Sequence, residues 1–414
     1  MKKTILLLTT LLMTMMVWAQ SSSVIDQLKT APRADKQIIF KTEAAGVPYR
    51  IPALAKCKDG SLIAIADYRY CKADIGYGAI DLRYRISKDN GVTWGKEQTL
   101  AKSNEQLTGN DWRYAYGDAC TVADSESKNV VAFCVGGHVS FFDATRENPQ
   151  HVVRFRSKDN GQTWDSGTCI TEQIYGLYDQ RAVGRPDGIF LTSGRILQSR
   201  QVKNGDFYRL YIAHPIRKGG VSVIYSDDFG ETWKVLGDPN ALPSKYCDES
   251  VLEEMPDGSI LLSVREKGAR MINVFIYTDP MSGVGSWSSE ASAKGMAGVN
   301  ACNGELLIVP AIRTKDGKKV SVLLHSVPQS PERINVGFYF KEIASRNDYA
   351  TGEAAAEGWQ KGLQVSDKSS CYSTMLQLDN GKIGFLFEEN GQNSGYDITF
   401  ETFTLEEITE GAYQ

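Results

Sequence analysis

Short runs of apolar residues, separated by polar and glycine-rich turns, cover most of the chain. Representative runs read SLIAIADYR (61–69), NVVAFCVGG (129–137) and KIGFLFEE (382–389). Alternation of apolar and polar positions is typical of half-buried strands, whereas the period of an amphipathic helix is almost absent. The 38 glycines supply residues for tight turns between strands. The pattern predicts an all-β protein.

One eight-residue turn recurs along the chain: SKDNGVTW at 87–94, SKDNGQTW at 157–164 and SDDFGETW at 226–233. We expect each copy to join two strands, with Ser and Asp side chains bonding turn amides and glycine in the left-handed corner. The Trp of each copy should pack against its own sheet. A fourth, degenerate copy is predicted at 277–287 (YTDPMSGVGSW).

Repeated hairpins and many short strands favour a β-propeller. The length of the ordered chain suits six four-stranded blades. The apolar segment KQIIFK (36–41) is expected to close the ring beside DITFETF (397–403), which leaves no open sheet edge. No linker or shift of composition divides residues 36–414, so we predict one six-bladed β-propeller domain, preceded by a loose leader at 20–35.

Residues 1–19 are typical of a secretory signal peptide. Lys2 and Lys3 precede an apolar run that ends at Trp18, and Ala19 offers a cleavage site. We therefore expect export to the periplasm or the medium. No other segment approaches the roughly 20 apolar residues that a membrane span requires, so no membrane span is expected.

Charge and composition exclude several classes of function. The chain has 46 Lys and Arg against 50 Asp and Glu, a net charge of −4, which is unlike a nucleic-acid-binding protein. Its 8 cysteines form no C-x-x-C motif and its 4 histidines are scattered, so neither a metal site nor another cofactor is expected. Disulfides are permitted in an exported protein, but burial as small apolar residues is expected for most cysteines. We expect a monomer.

Two motifs resemble those of a known family. The recurring turn has the S-x-D-x-G-x-T-W pattern of the Asp-box, and YRIP at 49–52 resembles the Phe/Tyr-Arg-Ile-Pro signature of sialidases. The remaining sialidase motifs follow in order along the ordered chain. The resemblance implies a six-bladed β-propeller with Asp-box hairpins and a glycoside hydrolase, an exo-α-sialidase. Its expected substrates are sialylated glycoproteins, glycolipids and oligosaccharides.

The family binds its substrate through three arginines. Sialic acid carries a carboxylate on its anomeric carbon, and the planar guanidinium suits that group. The resemblance assigns these roles to Arg50 in YRIP, Arg265 in SILLSVRE and Arg333 in PERINVGF. The turn before Arg333 departs from the family's His-Pro-like form, so Arg313 and Arg270 remain alternatives for the third position.

Sialidases use a Tyr nucleophile, because a carboxylate would be repelled by the carboxylate of the substrate. The resemblance assigns this role to Tyr372 in SSCYSTM, and the role of its base to Glu249 in CDESVLEE. A base is needed because the pKa of a free Tyr is near 10. Asp248 stands where the family usually has Asn, which adds a charge beside the base.

The acid/base carboxylate is expected in the loop after SLIAIADYRY, where Asp74 matches the family position. Asp81 is the alternative, but its place inside the alternating run AIDLRYR favours a structural role. Arg69, in the preceding strand, resembles a family arginine that contacts substrate.

The resemblance also implies roles for further carboxylates near the site. Asp118 in YGDAC matches a position that touches the ring hydroxyls or the N-acyl group of the sugar. Glu388 in GFLFEEN matches the carboxylate that holds the first arginine, and its neighbour Glu389 is expected to point to solvent.

Two other functions remain open at this stage. A sialidase variant that releases its product by intramolecular or transfer chemistry would keep all of these residues. An inactive propeller that binds sialic acid as a lectin would keep the Asp-boxes and the arginines, but would not need Tyr372, Glu249 and Asp74 together.

Overall fold

Strand pairing arranges the chain as six antiparallel sheets around a ring. The computed structural model describes residues 36–296, 298–299, 302–393 and 395–414. The predicted signal peptide and leader lie outside the described residues. Gln37–Gln414 form one compact unit. The architecture is the predicted six-bladed β-propeller, and each blade is a meander that runs from an inner to an outer strand.

The first three blades follow the opening strand β1 (Gln37–Phe40). Blade 1 contains β2 (Tyr49–Lys56), β3 (Leu62–Arg69), β4 (Ile80–Ser87) and β5 (Gln98–Ala101). Blade 2 contains β6 (Tyr116–Ala123), β7 (Val130–Gly136), β8 (His151–Ser157) and β9 (Thr168–Cys169), with β10 (Gly194–Arg195) parallel to β6. Blade 3 contains β11 (Leu197–Asn204), β12 (Phe207–Ile216), β13 (Gly220–Ser226) and β14 (Lys234–Val235).

The last three blades complete the ring. Blade 4 contains β15 (Ser250–Glu254), β16 (Ile260–Glu266), β17 (Ala269–Asp279) and β18 (Val284–Trp287), with β19 (Ala291–Ser292) also paired to β17. Blade 5 contains β20 (Glu305–Ile312), β21 (Lys319–Pro328), β22 (Val336–Ile343) and β23 (Gln360–Gln364). Blade 6 contains β24 (Ser370–Gln377), β25 (Ile383–Asn390) and β26 (Tyr396–Phe403).

Helical segments in the described part of the chain are short and lie between strands. They are α1 (Thr171–Gly176), a 3-10 helix (Arg346–Tyr349), α2 (Gly352–Ala356) and α3 (Leu405–Ile408). The hydroxyls of Thr351 and Thr404 cap the first turns of α2 and α3. None of these helices is long and apolar enough to cross a membrane.

Strand β1 closes the ring, as predicted. It pairs antiparallel with β26, with Gln37 opposite Phe400 and Phe40 opposite Ile398. The fourth strand of blade 6 therefore comes from the opposite part of the sequence, and the outer edge of that sheet is covered.

Apolar side chains pack mainly between neighbouring blades. One cluster joins Ala53 and Ile63 of blade 1 to Ala132 and Phe155 of blade 2, and equivalent clusters lie between other adjacent sheets. All 8 cysteines of the sequence lie among the described residues and are free thiols in the structure. Five of them are buried, which agrees with the expectation that most are core residues.

The Asp-box turns have the predicted hydrogen bonds. In the first copy, the Ser87 hydroxyl accepts a bond from the Gly91 amide (2.8 Å), and the Asp89 carboxylate accepts bonds from the amide and hydroxyl of Thr93 (2.8 and 2.6 Å). The other two copies repeat this arrangement. The degenerate copy lies at the equivalent turn of blade 4, between β17 and β18.

The tryptophans of the Asp-boxes do not pack as predicted. Their aromatic partners lie in the preceding sheet of the ring instead of their own. Trp94 meets Phe400 of blade 6 with ring centres 5.3 Å apart, and Trp233 meets Phe133 of blade 2 at 5.5 Å. Each box therefore connects two blades as well as two strands, which no local pattern could reveal.

Replacement of Gly230 by Ala should destabilise the fold. Gly230 has a φ of +85°, and an added Cβ would lie 2.9 Å from Cζ of Phe133 in the preceding sheet. A left-handed backbone costs an ordinary residue about 1–2 kcal/mol, and overpacking adds about 1–3 kcal/mol. The measurement is the free energy of unfolding from urea titrations.

Gly205→Ala provides the control for backbone conformation. Gly205 has a φ of +60°, yet nothing lies within 4 Å of its added Cβ. Gly230→Ala should lose clearly more stability than Gly205→Ala. Equal losses would show that the contact between the Asp-box and the neighbouring blade contributes nothing.

Candidate active site

The predicted site residues converge at one end of the ring. In a meander blade, the inner strand begins at the end of the sheet where the second strand finishes. Arg50 and Tyr372 lie near the starts of β2 and β24, and Arg69, Arg265 and Glu388 lie at or near the ends of β3, β16 and β25. The Asp-box turns follow the third strands and therefore lie at the opposite end.

A buried tyrosine and a buried glutamate form the centre of the site. The Tyr372 hydroxyl donates a hydrogen bond to Oε1 of Glu249 (2.8 Å), and Oε2 of Glu249 accepts one from Nη1 of Arg265 (2.7 Å). The same Arg265 nitrogen lies 3.4 Å from the Tyr372 oxygen. In this arrangement the phenol can pass its proton to Glu249, while the Arg265 guanidinium balances the negative charge that remains.

Burial shifts the pKa values of Tyr372 and Glu249. Burial, and then the charge of Glu249, raise the pKa of the Tyr372 phenol well above its usual range. Burial also raises the pKa of Glu249; Arg265 opposes that shift and Asp248 adds to it. The amide of Glu249 donates to Oδ1 of Asp248 (2.8 Å), and that same oxygen lies 3.3 Å from Arg265, so Asp248 is part of the cluster.

Arg50 is fixed by the fully buried carboxylate of Glu388. Nε of Arg50 and the amide of Ile51 both donate to Oε1 of Glu388, each at 2.7 Å. Oε2 of Glu388 accepts a bond from the amide of Tyr372 (3.3 Å). One carboxylate thus holds an arginine of blade 1 and the tyrosine of blade 6.

Arg50, Arg265 and Arg333, here called the arginine clamp, surround the phenol. The guanidinium carbons of Arg50 and Arg333 lie 5.5 and 5.8 Å from the centre of the Tyr372 ring. The Arg333 carbonyl accepts a bond from the Ser370 amide (2.8 Å), which attaches Arg333 to the start of β24. Three cations around a neutral phenol provide a binding site for an anion.

Arg69 organises a second, acidic group beside the clamp. Its side chain is 2% exposed and donates to Asp67 (2.8 Å), to Asp118 (3.1 Å) and to Asp74. Asp67 also accepts a bond from the Asp118 amide (3.0 Å). The side chain of Asp74 is 73% exposed, so it forms the solvent-facing side of this group.

The acids around Arg69 differ in their pKa values. Burial opposes ionisation of Asp74, but Arg69 outweighs that effect and holds the pKa of Asp74 below its usual range. Burial raises the pKa of Asp67 to about 6, against the opposing charge of Arg69. Burial also raises the pKa of Asp118 well above its usual range, and the charge of Arg69 opposes that shift. At neutral pH, Asp74 is therefore the most readily ionised acid of this group.

Irregular strand pairing at the starts of the inner strands sets the directions of site side chains. The register shifts between Arg50 and Ala53 in β2, and between Gly117 and Cys120 in β6. Ile51 and Asp118 occupy these bulges with φ values of +54° and +56°. Such values are rare for residues other than glycine, and bulges beside active sites re-aim side chains.

No group of three or more His, Cys, Asp or Glu is arranged to hold a metal ion within the parts of the chain that the structure describes.

Comparison with known proteins identifies the family. The sequence profile of the BNR repeat-like domain matches residues 76–385. The sialidase of Paraclostridium sordellii is 24% identical over 375 residues, which cover 86% of this chain and 85% of that protein. Sialidase-3 of Bos taurus is 30% identical over 404 residues, which cover 88% of this chain and 91% of that protein. The chain belongs to the sialidase family.

Members of this family are glycoside hydrolases, so this sialidase-family chain is an enzyme. Its fold is also that of a solved relative. The intramolecular trans-sialidase from Ruminococcus gnavus superposes with a TM-score of 0.70 at 18% identity, and the match covers 92% of this chain and 99% of that one. That likeness establishes the propeller.

The alternative site residues of this sialidase-family enzyme lie elsewhere. Asp81 is fully buried, accepts bonds from the amide and hydroxyl of Ser103 and does not join the group around Arg69. Arg313 pairs with Glu342 and Asp316 instead of the clamp. Arg270, the other alternative for the third arginine, is fully buried behind the site and donates to backbone and hydroxyl oxygens.

One expectation is wrong and two contacts were missed. Glu389 does not point to solvent: it is buried and accepts a bond from the Ser366 hydroxyl (2.6 Å). Asp67 was overlooked, although a charged residue inside the apolar run LIAIADYR is a signal of a buried ion pair. Tyr396, whose ring centre lies 5.1 Å from the Arg50 guanidinium carbon, carried no motif.

Glu388→Gln should strongly destabilise the enzyme. It removes the counter-charge of Arg50, whose side chain is only 18% exposed. Loss of one partner of a buried ion pair costs about 3–5 kcal/mol. Unfolding in guanidinium chloride measures the change in free energy.

Glu147→Gln is the matched control in that titration. It breaks the pair with Arg185, in which the two side chains are 51% and 74% exposed. An exposed pair contributes about 1 kcal/mol or less. A Glu388 variant as stable as the Glu147 variant would contradict the anchoring role of Glu388.

Proposed function

We propose that this enzyme is an exo-α-sialidase that removes terminal sialic acids from glycoconjugates with retention of configuration, with Tyr372 as the nucleophile. The observation that carries the proposal is the 2.8 Å hydrogen bond from the Tyr372 hydroxyl to Glu249 inside the arginine clamp. Similarity to sialidases supports sialylated glycans as the substrate class.

The arginine clamp supplies the binding energy for the substrate carboxylate. Arg50 and Arg333 face the Tyr372 ring from 5.5 and 5.8 Å, and Arg265 lies against the phenol oxygen. A carboxylate on the anomeric carbon would therefore be bound beside the attacking oxygen. Binding the carboxylate at this point also orients the anomeric carbon for attack.

Tyr372 attacks while Glu249 takes its proton. A phenol carries no charge before the reaction, so it approaches the substrate carboxylate without repulsion. As the bond to the anomeric carbon forms, the phenol proton moves to Glu249, and Arg265 stabilises the charge that passes through the pair. The glycosidic bond to the leaving sugar oxygen breaks in the same step, which gives a glycosyl-tyrosine. When water then hydrolyses this intermediate, Glu249 returns the proton to the phenol oxygen.

Asp74 serves as the acid and base at the exposed side of the site. It protonates the leaving sugar oxygen in the first step and takes a proton from water in the second. Because Arg69 keeps the pKa of Asp74 low, the unliganded carboxylate is ionised at neutral pH. That state suits the second step, whereas the first step is favoured by acidic conditions.

Tyr372→Phe should abolish hydrolysis without unfolding the protein. The variant loses the attacking oxygen but keeps the ring on which Arg50 and Arg333 pack. We expect kcat/KM for a fluorogenic α-sialoside to fall by about a thousandfold or more. Binding of a non-hydrolysable sialic acid analogue, measured by calorimetry, should persist.

Tyr396→Phe is the control for loss of a tyrosine hydroxyl beside Arg50. Its hydroxyl bonds only to the Ser369 hydroxyl among the contacts of the described side chains (3.2 Å), so activity should stay near that of the wild type. A folded Tyr372→Phe protein with wild-type activity would remove the nucleophile assignment. Product analysis in the same assays separates hydrolysis from intramolecular or transfer chemistry, and binding without turnover in the wild type would indicate a lectin.

Asp248→Asn should move the acidic limb of the pH–rate profile to lower pH. Asp248 raises the pKa of Glu249, so its removal lowers that pKa. Glu249 must be ionised to accept the phenol proton, and the variant would then keep this state at lower pH. The measurement is kcat/KM for an activated sialoside between about pH 4 and pH 8.

Asp316→Asn controls for loss of a negative charge far from the site. Asp316 pairs with Arg313, and its removal should leave the profile unchanged. An acidic limb that stays in place, or moves to higher pH, in Asp248→Asn would contradict coupling between Asp248 and the base.

A further inference from the structure

Two thiols meet directly behind the nucleophilic tyrosine. Cys302 precedes β20 at the start of blade 5, and Cys371 lies in β24 of blade 6, 69 residues further along the chain. Their Sγ atoms are 2.9 Å apart, and both residues are fully buried. Together with Ile51 and Tyr372 they form one small apolar cluster.

Both cysteines are held by elements of the site. Cys371 directly precedes Tyr372, whose amide is bound by Glu388. The carbonyl of Cys302 accepts a hydrogen bond from Nη1 of Arg270 (2.9 Å). Arg270 is itself fixed, because Nε and Nη2 donate to the hydroxyl and carbonyl of Ser263 (3.0 and 2.9 Å). The backbones on both sides of the thiols are therefore anchored, which keeps the sulfurs facing each other.

We propose that Cys302 and Cys371 are a disulfide site, and that the bond fixes Tyr372 to the start of blade 5. A disulfide bond is about 2.05 Å long, so small side-chain rotations would close the pair. The oxidant is a small-molecule disulfide. The two thiols give up two electrons and two protons and form one S–S bond, and the oxidant is reduced to two thiols.

The surroundings disfavour a thiolate and can accommodate a disulfide. Burial and the neighbouring Cys302 sulfur raise the pKa of the Cys371 thiol well above its usual range, while the Arg333 charge opposes the shift. A thiolate at this place would compete with a substrate carboxylate for the clamp. A disulfide is apolar and cannot ionise, so it fits the apolar cluster and adds no charge beside the arginines.

Burial also determines when the bond forms. Exchange requires a thiolate that the oxidant can reach, and packed thiols provide neither condition. The pair therefore closes while the chain folds. Once closed, it restricts the position of the strand residue next to Tyr372, and hence the direction of the attacking oxygen.

Peptide mapping tests the bond itself. The full-length chain is produced in a bacterial host with an oxidising cytoplasm, so that the thiols meet small-molecule disulfides during folding. The purified protein is denatured, alkylated with iodoacetamide and digested without reductant. Mass spectrometry should find one cross-linked pair of peptides, containing Cys302 and Cys371, that lacks two hydrogens. Alkylation of both residues, or a link to another cysteine, would overturn the proposal.

Production without the bond tests its effect. Wild-type protein made in a host with a reducing cytoplasm, where the bond cannot form during folding, should melt several degrees below the oxidised protein, because the link spans a long loop. Cys302→Ala and Cys371→Ala should melt at one temperature whichever host makes them. Cys169→Ala removes a thiol that contacts the Thr171 hydroxyl instead, and should keep the wild-type difference between the two hosts. A mapped bond with equal melting temperatures for the two wild-type preparations would refute the anchoring role.

A kinetic assay of the same proteins depends on the proposed function, whereas peptide mapping does not. Wild-type protein from the reducing host should have a several-fold lower kcat for the activated sialoside than the oxidised protein and a similar KM, because the arginine clamp remains in place. A mapped bond in a protein that hydrolyses no sialoside would refute the function and keep the disulfide. Equal kcat values for the two preparations would refute the link between the bond and Tyr372.

Discussion

A single buried carboxylate holds blade 1 and blade 6 together at the site. Glu388 accepts bonds from the Arg50 side chain, the Ile51 amide and the Tyr372 amide, and its side chain has no exposure to solvent. A buried anion is stable only when its oxygens are bonded and its charge is balanced. The guanidinium of blade 1 and the backbone of blade 6 meet these needs, so the position of Tyr372 depends on the position of Arg50.

The rest of the site follows from places where inner strands leave regular pairing. Ile51 and Asp118 lie at bulges with left-handed backbones, a conformation that costs of order 1 kcal/mol for each residue. Packing between blades offsets this cost, because every sheet is confined by its neighbours. The register shifts around these two residues change the directions of nearby side chains, and arginines and carboxylates from several blades meet at this end of the ring.

The sequence patterns predicted those features of the fold that depend on residues close together in the chain. Alternation predicted the strands, and the Asp-box predicted a turn whose hydrogen bonds join residues at most four positions apart. Arg50 and Glu388 were predicted through motifs that belong to the family. The burial of Glu389 depends on Ser366, and the partner of Trp94 lies in another sheet, so no local pattern contains either fact. Asp67 was visible as a charge in an apolar strand, and Asp118 as a family position, but the hydrogen bond from the Asp118 amide to Asp67 was not visible in the sequence.

Closure of the ring by strands from opposite parts of the sequence also fixes when the enzyme can become active. Glu388 follows Arg50 by 338 residues. At a synthesis rate of about 5–20 residues per second, roughly half a minute separates the appearance of these two residues. During that interval, the ribosome-bound polypeptide lacks the carboxylate that holds Arg50 and accepts a bond from the Tyr372 amide. The site therefore cannot be assembled until most of the chain has been made.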